Sequence, residues 1–155
     1  VEDSLRHDST HDALTGLYNR AFFDEELERF DQSGMFPISV VMADVNGLKT
    51  VNDTLGHEAG DQLIQLAARI ILRAFRAEDV VARIGGDEIA VLLPATAAAV
   101  AEDVVGRIRR SPELAAGRVS IAFGVAAAEN KDQLSEVLRL SDERMYQDKT
   151  EQKKA

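Results

Sequence analysis

Val80-Val81-Ala82-Arg83-Ile84-Gly85-Gly86-Asp87-Glu88-Ile89-Ala90-Val91-Leu92-Leu93 is the stretch that decides the fold. Two β-type runs, Val80 to Ile84 and Ile89 to Leu93, flank two glycines and two acids. Paired glycines between apolar strands mark a tight hairpin, because glycine takes positive φ without a Cβ penalty. Carboxylates at its tip concentrate negative charge where bare backbone can meet a ligand. Alone, the pattern is more often just a hairpin with solvated acids, so its meaning depends on the rest of the chain.

Upstream, Val40-Val41-Met42-Ala43-Asp44-Val45-Asn46-Gly47-Leu48-Lys49 carries an apolar run into Asp44 and a turn-like Asn46-Gly47. An acid at a strand end, beside a turn with free backbone N–H groups, suits a hard cation together with a phosphate. If this strand pairs with the hairpin, Asp44 and Asp87 share one or two Mg²⁺ ions, since one or two carboxylates plus substrate phosphates suffice for that metal. Taken singly, Asp44 reads as an Asx-type turn residue. An EF-hand is excluded, because the loop lacks the further acids and closing Glu at the required offsets.

Working outward, helices and strands alternate. Arg20 to Phe30 carries Phe23, Leu27 and Phe30 at helical spacing, and Ile38 to Ala43 reads as a buried strand. Leu63, Leu66, Ala67, Ile70, Ile71 and Ala74 follow the helix template. Ala97, Val100, Ala101, Val104, Val105 and Ile108 mark another amphipathic helix, broken at Ser111-Pro112. Val119 to Ala127 is a further strand, and Leu134, Val137, Leu138 and Met145 line a last helix. The expected fold is a single α/β (α+β) domain with a mostly antiparallel central sheet flanked by helices. Residues 1–11 read as the end of an upstream linker helix, 12–150 as the folded domain and 151–155 as a polar tail. The chain opens on Val1, not Met, and is expected to be a piece of a longer protein.

Composition fits this picture. With 155 residues and 45% hydrophobic content, such a chain buries roughly 68–70% of its unfolded surface in one core. It has no cysteine, which excludes disulfides and thiolate metal sites. No apolar run approaches the ~20 residues that span a bilayer, and no signal-peptide pattern opens the chain. A formal net charge of -9 argues against nucleic acid or an anionic membrane as partner. Small phosphate ligands remain open, because metal ions bridge carboxylates to phosphates. The composition is that of a cytoplasmic globular domain.

Taken together, the motifs resemble those of the GGDEF-domain diguanylate cyclase family, which condenses two GTP into cyclic di-GMP. His11-Asp12-Ala13-Leu14-Thr15-Gly16-Leu17-Tyr18-Asn19-Arg20 resembles the family's entry signature. Asp44 to Lys49 resembles its metal and phosphate segment. Asn52-Asp53 and Gly56-His57-Glu58-Ala59-Gly60-Asp61 resemble its guanine-binding stretch, and Gly85-Gly86-Asp87-Glu88-Ile89 its namesake loop. The similarity runs on to Tyr146 and Lys149, covering nearly the whole chain, and implies a cyclase or polymerase-palm type of fold.

The resemblance assigns roles residue by residue. Asp44, Asp87 and the Val45 carbonyl become ligands for Mg²⁺ or Mn²⁺. Glu88 serves either the metal site or deprotonation of the nucleophile. Gly47 and Leu48 N–H groups, with Lys49, Lys149 and Lys153, hold phosphates beside the Gly85-Gly86 loop. Asn52 and Asp61 read guanine, whose N1–H and amino group a carboxylate accepts together; their plainer readings are a helix-entry Asn and a first-turn Asp. Arg76 and Asp79 resemble the RxxD site that binds the product as inhibitor, against a plain reading as a surface ion pair. His57 is expected to be structural.

Some positions depart from the family. Ile89 stands where Phe is usual, Ala122-Phe123-Gly124 replaces Ser-Ile-Gly, and Thr150-Glu151-Gln152-Lys153 replaces a run toward Gly-Arg-Asn. At Lys153 a lysine keeps the charge of an arginine but loses its bidentate fork. The implied partners are GTP, cyclic di-GMP, a second copy of the domain in a transient homodimer and an upstream sensory or receiver domain. The competing class is a binding module that senses cyclic di-GMP or binds GTP without cyclising it.

Overall fold

A computed structural model describes residues 9–154; the expected linker helix falls mostly on residues 1–8, outside the described residues. Helix α1 (Arg20–Ser33) leads to strand β1 (Ile38–Val45), then helices α2 (Leu48–Leu55) and α3 (His57–Ala74). Strands β2 (Val80–Arg83) and β3 (Glu88–Leu93) follow, then α4 (Ala98–Arg109), the short α5 (Pro112–Ala115), β4 (Ile121–Ala128) and α6 (Leu134–Lys154). The sheet has four strands in the order β2-β3-β1-β4, and each neighbouring pair is antiparallel. This is the split βαβ arrangement, in which crossover helices return the chain to the sheet.

Strand periodicity sorts the core into two layers. Val41, Ala43, Val45, Ile89 and Phe123 face one layer, shared with Ile64, Ile71 and Val105 of α3 and α4. Val40, Met42, Ala90 and Ala126 face the other, shared with Phe23, Phe30, Leu134 and Met145 of α1 and α6. Ile89 is fully buried, so its departure from Phe is a packing change. By this alternation Asp44, two residues after Met42, lies on the α6 side of the sheet.

Several elements differ in extent from the sequence expectation, and the differences that bear on the site fall at β1, α6 and the hairpin. Strand β1 extends to Val45 because the Val45 N–H donates to the Asp87 carbonyl at 2.8 Å, continuing the ladder past Asp44. Helix α6 continues through Lys154, so Glu151 to Lys154 form its last turn. At the hairpin, neither Gly85 nor Gly86 takes positive φ. The link is longer than a two-residue turn: Ile84 N–H donates to the Glu88 carbonyl at 2.9 Å. What glycine contributes at Gly86 is open space, since a Cβ there would meet nothing within 4 Å.

The hairpin tip is stapled to the N-terminal segment. Arg83 Nη2 donates to the Gly86 carbonyl at 2.8 Å, and Nη1 pairs with Asp12 at 3.3 Å. Asp12 also accepts from the Thr15 N–H (2.9 Å) and hydroxyl (2.7 Å). Partial burial opposes ionisation of Asp12, but the Thr15 bonds and Arg83 outweigh it and hold its pKa below the ordinary value. A depressed folded-state pKa adds stability above the unfolded pKa and loses it as pH falls through the folded one. Asp12→Asn should therefore cost about 1–2 kcal/mol at pH 7, a Tm drop of roughly 2–8 °C. The gap between variant and wild type should close below about pH 4, as followed by thermal melts across pH.

Strand β4 lies at the edge of the sheet, where unpaired main-chain groups invite another strand. Side chains of α6 fill that edge at every second residue. Arg144 donates to the Val125 carbonyl (2.6 Å), Asp148 accepts from the Phe123 N–H (2.8 Å), and Gln152 donates to the Ile121 carbonyl (2.9 Å). Residues four apart on a helix advance about 6 Å, close to the roughly 6.8 Å of two strand residues. The two periods therefore stay in step along the edge.

Candidate active site

Asp44 and Glu88 are direct partners in the β1–β3 register, and the Val45–Asp87 bond draws the next residue of the hairpin to the same strand end. Asp44 is 6% exposed. Its Oδ2 accepts from Lys149 Nζ of α6 at 3.1 Å, while Oδ1 is buried without a hydrogen-bond partner. Burial pushes the Asp44 pKa up, the nearby Asp87 charge adds to this, and Lys149 works against it. Burial also raises Glu88, with the charges of Asp142, Asp44 and Asp87 contributing. Burial opposes the Lys149 ammonium, but the bond and charge of Asp44 keep its pKa raised, so it stays protonated.

The Lys149 ammonium offsets only part of the negative charge that Asp44, Asp87 and Glu88 bring together. An orphaned buried carboxylate oxygen and repelling acids fit a hard divalent cation held by Asp44, Asp87 and the Val45 carbonyl. No group of three or more His, Cys, Asp or Glu is arranged for a metal among the described residues. The remaining ligand positions would fall to water and phosphate oxygens, as is usual for Mg²⁺.

Beside the acids opens a pocket of about 420 Å³. One wall is the loop from Asn46 into α2; the other is α6, with Lys149, Gln152 and Lys153. Gly47 has φ +78° and caps α2 without a side-chain hydrogen bond, which leaves the first-turn N–H groups without an intrahelical partner. A larger depression of about 550 Å³ lies between α2 and α3. Its lining, which includes Leu55, Leu66, Arg69 and Arg118, contains no carboxylate, so chemistry and not size selects the smaller pocket.

Asn52 and Gly60, the residue before Asp61, come together across the α2–α3 junction at Gly56. Asn52 sits in the second half of α2, not at a helix entry, and its side chain lies over Gly60. A Cβ on Gly60 would stand 1.7 Å from Asn52 Oδ1. Asp61 is the next residue and is exposed. Gly60 was not singled out from the sequence for this role; its place beside Asp61 was the available signal. His57 is exposed at the start of α3.

Arg76 and Asp79 also meet, but not as a surface pair. Asp79 is 6% exposed, and its Oδ2 accepts from the Arg76 N–H at 2.9 Å, closing the turn into β2. The Arg76 guanidinium reaches Asp79 Oδ1 (3.5 Å), Thr96 Oγ1 (2.9 Å) and Glu78 (3.3 Å). Its side chain remains 55% exposed.

A family model described as "Diguanylate cyclase, GGDEF domain" matches residues 9–155, and the chain belongs to that family. It is 35% identical over 152 residues to the probable diguanylate cyclase DgcJ of Escherichia coli K12, covering 94% of this chain and 30% of that protein. Diguanylate cyclase TpbB of Pseudomonas aeruginosa is 36% identical over 155 residues, covering 92% of this chain and 36% of the relative. The chain thus spans about a third of these relatives. Among solved structures, the coiled coil and GGDEF domain of DgcB from Caulobacter crescentus, in complex with c-di-GMP, superposes with a TM-score of 0.85. That match has 30% sequence identity and covers 96% of this chain and 85% of the other. No helix among the described residues is long and apolar enough to cross a membrane.

Proposed function

We propose that this domain is a diguanylate cyclase that condenses two GTP into cyclic di-GMP with release of two pyrophosphates. The observation that carries the reading is the convergence of Asp44, Asp87 and Lys149 at the mouth of a phosphate-sized pocket. Each 3′-hydroxyl attacks the α-phosphorus of the other nucleotide; the new P–O bond replaces the bond to pyrophosphate, and the hydroxyl gives up its proton. Glu88, whose pKa burial and neighbouring acids raise, suits a group that takes up that proton. A divalent cation held by Asp44, Asp87 and the Val45 carbonyl would acidify the hydroxyl and neutralise the leaving oxygens. Gly47 and Leu48 N–H groups, with Lys49, Lys149 and Lys153, hold the triphosphate.

Asn52 and Asp61 read guanine by its N1–H and amino edge. Because Gly60 makes the room for Asn52, Gly60→Ala should swing that amide away. The KM for GTP should rise roughly tenfold, the effect of one displaced hydrogen-bonding group, with kcat nearly kept. Steady-state rates with GTP, and competition by ATP, would check this.

One domain carries one half-site, so the reaction requires two copies face to face, most simply as a two-fold dimer. Product binds back at Arg76, whose exposed guanidinium suits a phosphate or guanine edge; Asp79 holds the turn that presents it. The domain acts in the cytoplasm, under an upstream sensory or receiver domain. The deciding experiment incubates the domain with GTP and Mg²⁺ across a wide range of protein concentration, with mass detection of the nucleotide. Cyclic di-GMP whose specific rate climbs with concentration, and whose accumulation inhibits wild type but not Arg76→Ala, fits every part. No product even when a fused coiled coil forces dimerisation would defeat the reading and leave a nucleotide-binding module.

A further inference from the structure

The two walls of the phosphate pocket belong to segments 106 positions apart in the chain, and Gln152 joins them. Its Oε1 accepts from Asn46 Nδ2 at 2.7 Å. Its Nε2 donates to the Ile121 carbonyl at 2.9 Å and, more weakly, to Asp148 at 3.4 Å. Acceptor and donors are each matched, so the amide has one satisfactory orientation. Asn46 is held just as firmly. Its Nδ2 also donates to Ser120 Oγ at 2.9 Å, and its N–H to the Ser120 carbonyl at 2.8 Å. Reversing the Asn46 amide would set two acceptor oxygens against each other at Gln152. That holds Asn46 in place even though its own Oδ1 stays buried without a partner.

Asn46 immediately precedes Gly47, the positive-φ N-cap of α2, and Gly47, Leu48 and Lys49 line the pocket. On the other side, Gln152 stands next to Lys153 and less than one helical turn beyond Lys149. The ends of the clamp are therefore the loop that supplies N–H donors and the helix that supplies the lysines. We propose that Gln152 is a positioning residue for the terminal phosphates of the nucleotide: through Asn46 it fixes the loop at Gly47–Lys49 against Lys149 and Lys153. This rests on the cyclase reading of the same pocket. It adds a role at a position where the family resemblance leads to a glycine, which has no side chain to make such a clamp.

The proposal predicts a loss that grows with the number of phosphates. The probes are 3′-deoxyguanosine triphosphate and monophosphate, which lack the attacking hydroxyl, titrated with Mg²⁺ by calorimetry into wild type, Gln152→Ala, Asn46→Ala and the double variant. Wild type should prefer the triphosphate. Gln152→Ala should weaken triphosphate binding roughly tenfold, the scale of one or two lost hydrogen bonds, and leave monophosphate binding nearly unchanged. The double variant should lose little more than either single one, because both remove the same clamp. Unchanged triphosphate affinity in Gln152→Ala, or equal loss for both probes, would overturn the proposal while leaving the nucleotide site standing. A wild type that does not distinguish the probes would instead bring down the pocket's assignment, and the proposal with it.

Discussion

Asp87→Ala is expected to abolish cyclic di-GMP formation, by about three orders of magnitude or more, without unfolding the domain. On the proposed cyclase reading, removing Asp87 would take away a ligand for the divalent cation, and charge stabilisation of this kind is worth several kcal/mol in the transition state, about tenfold for each 1.36 kcal/mol. Stability should move little or rise. The Asp87 charge helps raise the pKa values of its neighbours Asp44 and Glu88, so removing it lessens the repulsion on the acids that remain. What Asp87 gives the fold is its main-chain carbonyl, bonded to the Val45 N–H, which alanine keeps. Product yield and a thermal melt on the same preparation check both halves. Loss of activity accompanied by a large fall in Tm would make Asp87 a structural residue.

The largest stability effect should come from a glycine far from that chemistry. Strand β4 and helix α6 approach so closely at Gly124 that an added Cβ would lie 2.0 Å from the Ser141 carbonyl oxygen and 2.3 Å from the Met145 nitrogen. Both are main-chain atoms of α6, so no side-chain rotation relieves the clash, and the helix would have to lift from the sheet. Gly124→Ala should cost about 3 kcal/mol or more, a Tm fall of roughly 6–12 °C for a chain of this length. Activity should fall as well, because the same helix carries Lys149, Gln152 and Lys153 to the pocket. Gly106→Ala is the contrast. There the Cβ would meet only the end of the Arg110 side chain at 3.3 Å, and alanine in a helix interior should gain about 0.5–1 kcal/mol. Thermal melts of the two variants should move in opposite directions.

Much of this architecture was legible along the chain. Period-two and period-3.6 patterns located four strands and most of the helices, because burial on one face leaves a local signature. The ordered motifs at Asp44, Asn52, Asp61, Gly85 to Glu88 and Lys149 pointed to a nucleotide-condensing family, and the family match agrees. Helix α2 escaped notice. Its Leu48, Val51 and Leu55 have helical spacing, but Thr50, Val51, Asn52, Asp53 and Thr54 are mediocre helix formers; packing against α3 stabilises it.

By itself, then, the sequence determined the four strands and the longer helices, which faces are apolar and which residue types the chemistry can draw on. Only the tertiary structure decided how polar residues distant in sequence meet. Asp44 finds Lys149 across 105 positions and Asn46 finds Gln152 across 106. Arg144, Asp148 and Gln152 line up with alternate residues of β4. Periodicity says which face of α6 is buried, but not where along β4 the helix comes to rest. The close approach of the two backbones at Gly124 helps set that position, and with it the place of Lys149, Gln152 and Lys153 in the wall of the pocket.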